Sequence, residues 1–152
     1  PRLFLKRPGW VLPGDVQVTQ ANNMADAARL LNGRAKRVFL STGSKELEAF
    51  TNLDKVWFLI RLITEPETPL PITRYKLLTA RPPFLRDAEV SLFLRNGIEI
   101  LVSKDSGGPV PAKMFAAEAL NIPVILIRQP DPPAGYKTND VSKALVWIHE
   151  RL

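Results

Sequence analysis

Apolar residues fall along this chain in two alternating rhythms, short continuous runs and stripes at helical spacing. That alternation is the pattern of a parallel α/β fold. Continuous runs predict strands at Val16–Thr19, Arg37–Leu40, Val56–Ile63, Tyr75–Thr79, Glu99–Ser103 and Val124–Arg128. Several are apolar at every position, so layers should cover them on both faces. Helical spacing predicts five helices between and after them. Asn23–Asn32 puts Met24, Ala27, Ala28 and Leu31 on one face and stops at Gly33. Lys45–Asn52 follows Ser44, a residue suited to cap a helix start, with Leu47 and Phe50 facing inward. Phe84–Asn96 stops at Gly97, and Pro111–Leu120 is apolar nearly all round. The last, Val141–Leu152, carries Val141, Ala144, Leu145, Ile148 and Leu152 on one stripe, with Asn139 or Asp140 as its cap. Between Ile63 and Tyr75 the alternation breaks. The stretch Thr64-Glu65-Pro66-Glu67-Thr68-Pro69-Leu70-Pro71 has no helical pattern, so it is either a long functional loop or the link of an antiparallel pair.

Composition changes this picture little. The 152 residues suit a single domain with a real core, and 45% hydrophobic with 24% charged residues is ordinary for a globular protein. The 14 prolines lie between the periodic segments. No apolar run is long enough to span a bilayer, and the absence of cysteine leaves no disulfide or thiolate chemistry. These features fit a cytoplasmic protein. Charge matters more. A net charge of +6 favours anionic partners, namely nucleic acid, phosphorylated cofactors or carboxylate-rich substrates, although a generic lysine-bearing surface has the same balance.

Ligands of open α/β sheets bind beyond the carboxyl ends of the strands, and three loops stand there. Ser41-Thr42-Gly43-Ser44 follows Val38-Phe39-Leu40; its small residues would let backbone approach a phosphate, or simply make a tight turn with a serine cap. Arg81, in Thr79-Ala80-Arg81-Pro82-Pro83-Phe84, is placed to grip a phosphate or carboxylate, or to stand in solvent. Lys104-Asp105-Ser106-Gly107-Gly108 follows Ile100-Leu101-Val102-Ser103 and has Lys113 nearby. It matches neither a Walker A loop nor a dinucleotide glycine fingerprint. Arg61 interrupts an apolar strand and either points into a site or caps a strand edge. One histidine, His149 in the terminal helix, and no cysteine leave no metal site and no Cys/His pair, and no catalytic residue stands out. Trp10, Trp57 and Trp147 sit among apolar residues and read as core or interface, and no basic run carries stacking aromatics.

In this order, the loops resemble the precorrin-6A reductase family of cobalamin biosynthesis across nearly the whole chain. Leu5-Lys6-Arg7-Pro8-Gly9-Trp10 resembles its L-x-R-P-x-W segment, and Arg37-Val38-Phe39-Leu40-Ser41-Thr42-Gly43 its R-V-F-L-T-T-G strand and loop. Trp57-Phe58-Leu59-Ile60-Arg61 is similar to its aromatic-apolar strand ending in arginine. Arg81-Pro82-Pro83-Phe84 stands where R-G-P-F is usual. Leu101-Val102-Ser103-Lys104-Asp105-Ser106-Gly107-Gly108, then Ala112-Lys113 and Ile122-Pro123-Val124, resembles L-V-x-K-N-S-G-G, A-K and L-P-V. Three positions depart: Pro82 replaces glycine, Asp105 replaces asparagine and brings a negative charge, and Ser44 stands where many members have a basic residue.

The resemblance implies a Rossmann-like three-layer domain with a mostly parallel sheet of five to six strands and helices on both faces. It further implies the carboxy-terminal part of a two-domain reductase whose amino-terminal domain, with a G-G-T strand-loop, is not in this chain. NADPH would reduce one double bond of precorrin-6A or its cobalt form, so the partners would be that carboxylate-rich tetrapyrrole and the other domain, with no nucleic acid and no membrane. Ser41, Thr42, Gly43, Ser44 and Arg81 would hold the cofactor. Arg61, Lys104, Ser106, Gly107, Gly108 and Lys113 would line the substrate or cofactor cleft. Two other readings stay open: a non-catalytic module binding a nucleotide or other polyanion, and a glycosyl- or phosphoryl-transfer enzyme on the same scaffold.

Overall fold

Each apolar run expected to be a strand forms one, within about two residues at its ends. The computed structural model describes every residue from Pro1 to Leu152. In chain order the elements are β1 (Leu3–Leu5), β2 (Val18–Ala21), α1 (Met24–Leu31), β3 (Arg37–Ser41), a 3-10 helix (Leu47–Phe50), β4 (Trp57–Leu62) and β5 (Tyr75–Thr79). There follow α2 (Arg86–Arg95), β6 (Ile100–Lys104), α3 (Ala112–Ala119), β7 (Val124–Ile127), β8 (Tyr136–Thr138) and α4 (Val141–His149).

Six strands make one sheet in the order β2-β7-β6-β3-β4-β5, parallel throughout. Alternate residues of each strand feed two separate cores, because successive side chains leave a strand on opposite faces. Val38, Leu40, Phe58, Ile60 and Val102 meet α1 and the 3-10 helix on one face. Phe39, Leu59, Leu101, Val124 and Leu126 meet α2 and α3 on the other, through Phe93, Met114 and Ala117. The result is a three-layer α/β sandwich, and full burial of each large side chain contributes about 1.5–3 kcal/mol. At the start of α1, Asn23 accepts a hydrogen bond from the Asp26 backbone N–H. In return Asp26 accepts from Asn22 N–H and from Arg29, contacts that hold its carboxyl below the usual carboxylate range.

Three features differ from what the pattern suggests, and one open alternative is resolved. Residues 45–52 form no α-helix: Ser44 caps nothing, and Glu46, at φ 63°, leads into a single 3-10 turn. The Pro-rich stretch is a loop, because β4 and β5 are parallel neighbours joined without a helix. Buried Ile72 and half-buried Leu70 fill the place a crossover helix would occupy, and Thr51 Oγ1 donates to Pro71 O at 2.7 Å to fasten it. β1 and β8, too short to show a pattern, pair in parallel as a separate two-stranded sheet. α4 packs on that ribbon, with Trp147 stacked on Tyr136 at 5.9 Å. Of its apolar stripe only Ala144 is buried, and the stripe's other members are exposed.

The strand order carries the functional consequence. From β3 the chain steps outward to β4 and β5, then returns through α2 to β6 on the other side of β3 and continues to β7. The winding therefore reverses between β3 and β6, where loops leaving adjacent strands diverge and open a crevice.

Candidate functional site

At that crevice β3 ends in Ser41 and β6 ends in Ser103 and Lys104, with Ser41 directly opposite Ser103. A cavity of about 660 Å³ opens there. Its walls come from the loop after β3 (Ser41, Gly43), the end of β4 (Arg61, Leu62, Ile63), the loop after β5 (Ala80, Pro82, Pro83, Phe84), Glu89 of α2, and Ser106 with the segment Pro109–Lys113 that leads into α3. Trp10, far earlier in the chain, closes one side.

Lys113 is its central cation. The first turn of α3 holds it so that Nζ donates to Ser41 Oγ at 3.0 Å, across 72 residues of sequence. Its Nζ also lies 5.5 Å from the Trp10 ring centroid. Desolvation pulls the ammonium down to about 8 from an ordinary 10.5; the Arg61 guanidinium pushes the same way and Glu89 opposes both. The group is thus largely protonated at neutral pH, yet poorly solvated, and an anion entering the cavity would replace the water it has lost. α3 begins at Pro111 without a side-chain cap, so the positive end of that helix faces the same space.

Arg61 does point inward. Its guanidinium makes a two-pronged pair with Glu89, Nη1 to Oε1 at 2.6 Å and Nη2 to Oε2 at 2.8 Å. It lies between the rings of Phe84, 3.7 Å from the centroid, and Phe39, at 4.9 Å. Planar stacking of this kind suits arginine alone. The pair ties β4 to α2 and fixes the cavity wall, leaving Lys113 as the cation without a carboxylate partner.

Of the eleven residues singled out in the sequence, the cavity gathers Ser41, Gly43, Arg61, Ser106 and Lys113. Gly43, at φ 81°, has open space where a Cβ would stand, so its loop presents bare backbone to a ligand. Thr42 is buried and its Oγ1 has no hydrogen-bond partner. Ser44 and Arg81 are exposed and outside the lining. Lys104 is half-buried at the end of β6, also outside it. Gly107 and Gly108 serve a close approach. A Cβ on Gly107 would stand 2.6 Å from Arg7 Cβ and 2.8 Å from Pro8 O, and Gly108 N–H donates to Pro8 O at 2.9 Å. Asp105 spends its charge inside this junction, accepting from the Gly107 N–H at 2.9 Å and from the Trp10 N–H at 3.3 Å. Trp10 Nε1 in turn donates to Gly107 O. Residues 6–10 are therefore a strap pinned across the strand ends.

Sequence reasoning missed Glu89, Phe84 and Trp10 as cavity walls. Arg61 was the one usable signal, since a charge buried in a strand demands a partner of opposite sign nearby. The small-residue loop at Ser41–Gly43, the open helix start and Lys113 suit a phosphate-bearing cofactor. The helix dipole expected directly after Ser44 is absent, because the 3-10 turn starts only at Leu47.

The chain is similar to known proteins over nearly its whole length. The model of the precorrin-6x reductase CbiJ/CobK family matches residues 1–149. The chain is 41% identical over 150 residues to a precorrin-6A reductase of Rhodococcus erythropolis, covering 97% of this chain and 60% of that protein. It is 40% identical over 151 residues to a precorrin-6A reductase of Mycobacterium tuberculosis, with the same two coverages. A solved structure described as CobK precorrin-6A reductase superposes with a TM-score of 0.83 at 31% identity, over 96% of this chain and 59% of that one. The chain thus spans about three fifths of the length of the relatives it matches.

Proposed function

Since this chain belongs to the precorrin-6x reductase family, we propose that it supplies one wall of the active cleft of an enzyme that reduces precorrin-6A or its cobalt form, with NADPH as reductant. A single observation carries the reading: Lys113, bonded to Ser41, sits at the reversal point of a parallel sheet, in a cavity whose only fixed ion pair is Arg61–Glu89. The dihydronicotinamide would supply the hydride, and the protein would supply position and electrostatics. Lys113 and the bare backbone at Gly43 would hold an anionic group of cofactor or substrate. Phe84 and Trp10 would shield the reacting bond from water. The Arg61–Glu89 pair would keep the wall in register without meeting the ligand's charge. About two fifths of each matched relative has no counterpart in this chain, and we assign the facing wall of the cleft to a further domain, the amino-terminal one that the resemblance implies.

NADPH titration followed by tryptophan fluorescence, in a Trp57→Phe/Trp147→Phe background that leaves Trp10 as the one indole, tests the proposal directly. Saturable quenching is expected, weakened in Lys113→Met by about tenfold, the value of losing one charge-assisted contact. A folded chain that shows no saturable binding at millimolar NADPH would sink it.

A further inference from the structure

On the far side of the strap the molecule carries a second concavity, open and polar, of about 690 Å³. We propose that Lys6, Arg7, Arg128 and Lys137 form there an anion-binding subsite, which takes a phosphate or carboxylate group of the same ligand whose other end enters the Lys113 cavity. That the two share one ligand rests on the reductase reading; the subsite itself does not.

Four cations reach this cleft from three places in the chain: the strap after β1, the residue following β7, and β8. Two carboxylates accompany them, which leaves the cleft two positive charges in excess. Asp105 is committed to backbone N–H groups of the strap junction, and Asp131 pairs only with Arg128, at 3.4 Å in solvent. Lys6, Arg7 and Lys137 have no carboxylate partner anywhere in the chain. Like charges gathered in a concave surface repel one another and focus a positive field outward, a cost that an entering anion reverses.

The arrangement is also built. Lys6 N–H donates to Thr138 O at 2.9 Å, which sets the strap against β8. Gln129 Nε2 donates to Arg7 O at 3.4 Å, and Arg7 lies over Gly107, where a Cβ would stand 2.6 Å from its own. Backbone ties of this kind fix the spacing of the residues that carry the cations. The strap itself joins the two concavities, presenting Trp10 to the first and Lys6 and Arg7 to the second. A ligand with anionic groups at separated points, whether phosphates of a dinucleotide or carboxylates around a macrocycle, would cross it.

Backbone amide NMR of the chain, titrated with inorganic pyrophosphate and separately with the tricarboxylate tricarballylate, tests this. Shifts are expected at residues 6, 7, 128, 129 and 136–138. Arg7→Glu/Lys137→Glu should weaken binding of at least one of the two by about tenfold or more. The control Lys36→Glu/Lys55→Glu, an equal change of charge near the opposite strand ends, should leave it within about twofold. Comparing NADPH with NADH then names the source. A loss confined to NADPH identifies its extra phosphate; tricarballylate binding lost with NADPH binding unchanged identifies a carboxylate. If NADPH binds no form of the chain while pyrophosphate still maps to these residues, the reductase reading fails and the subsite stands. No mapped shifts with either probe at millimolar concentration, or equal weakening by the control pair, overturns the subsite.

Discussion

Three charged side chains set the character of the cleft, and the buried pair among them responds to substitution in the opposite way to the lone cation. Arg61 and Glu89 retain only 7% and 3% of their side-chain exposure, so each depends on the other for the solvation it has lost. Glu89→Ala would strand a buried guanidinium and is expected to cost about 3–5 kcal/mol in urea unfolding. The double variant Arg61→Met/Glu89→Leu, which removes both charges, should cost distinctly less; equal costs would mean the pair is not acting as a unit. Lys113 behaves in reverse, because its burial penalises the charged form. Its pKa is lowered to about 8 from 10.5, so between those values the unfolded chain binds more protons than the folded one. Stability contributed by this group therefore rises as pH climbs from about 8 towards 10.5, and the penalty is fully present below 8. The stability of the wild type relative to Lys113→Met should increase over that window, measured by urea unfolding at successive pH values. A difference that stays flat would show that the ammonium is not desolvated. Arg61 was visible in the sequence as a charge inside an apolar strand, and Lys113 as a cation beside a glycine pair. Glu89 was not, since a glutamate in the first turn of a helix reads as a solvated residue complementing the dipole. Only the fold brings it to a partner 28 residues away.

Elements with a long enough pattern were legible and short ones were not. α1 shows four core residues on one face and two capping side chains, and each six-strand-sheet member was marked by its apolar run. Between Ser44 and Phe50 only Leu47 and Phe50 face inward, a spacing that one 3-10 turn satisfies as well as an α-helix. β1 and β8 have three residues each, fewer than any period needs to declare itself. The loops separate the same way when their glycines are compared. Gly43 and Gly107 both take positive φ, at 81° and 70°, but only Gly107 is crowded, by Arg7, Gln129 and Pro8 O. Gly43→Ala should thus cost only conformational strain, about 1 kcal/mol. Gly107→Ala should cost more and also lift the strap, releasing Trp10 Nε1 from Gly107 O and, with Trp57 and Trp147 replaced by Phe, shifting its emission to the red. Matching unfolding costs and unchanged emission would argue against a strap held at that point.

At the scale of the whole molecule the chain is two unequal bodies joined by the strap. The six-stranded sheet is covered on both faces and holds nearly all of the buried residues. The β1–β8 ribbon and α4 bury little: Leu5 is 54% exposed, Leu145 61%, Val146 57% and Ile148 42%. Local opening is cheapest where apolar contacts are few and backbone hydrogen bonds lie near solvent. Amide exchange should therefore be slowest in β3, β4, β6 and β7, whose opening requires global unfolding. It should be much faster in β1, β8 and α4, which can detach while the sheet stays folded. The strap makes this separation consequential, because Lys6 N–H is bonded to Thr138 of the ribbon while Pro8 and Trp10 are bonded to the loop after β6. If the ribbon opens alone, the cations of the second concavity lose their fixed spacing before the Lys113 cavity loses its walls. Pyrophosphate would then slow exchange in β1, β8 and the strap while leaving β3 and β6 unchanged. Hydrogen exchange read by mass spectrometry, with and without pyrophosphate, distinguishes this from a single cooperative body, in which the protection of all eight strands would rise together.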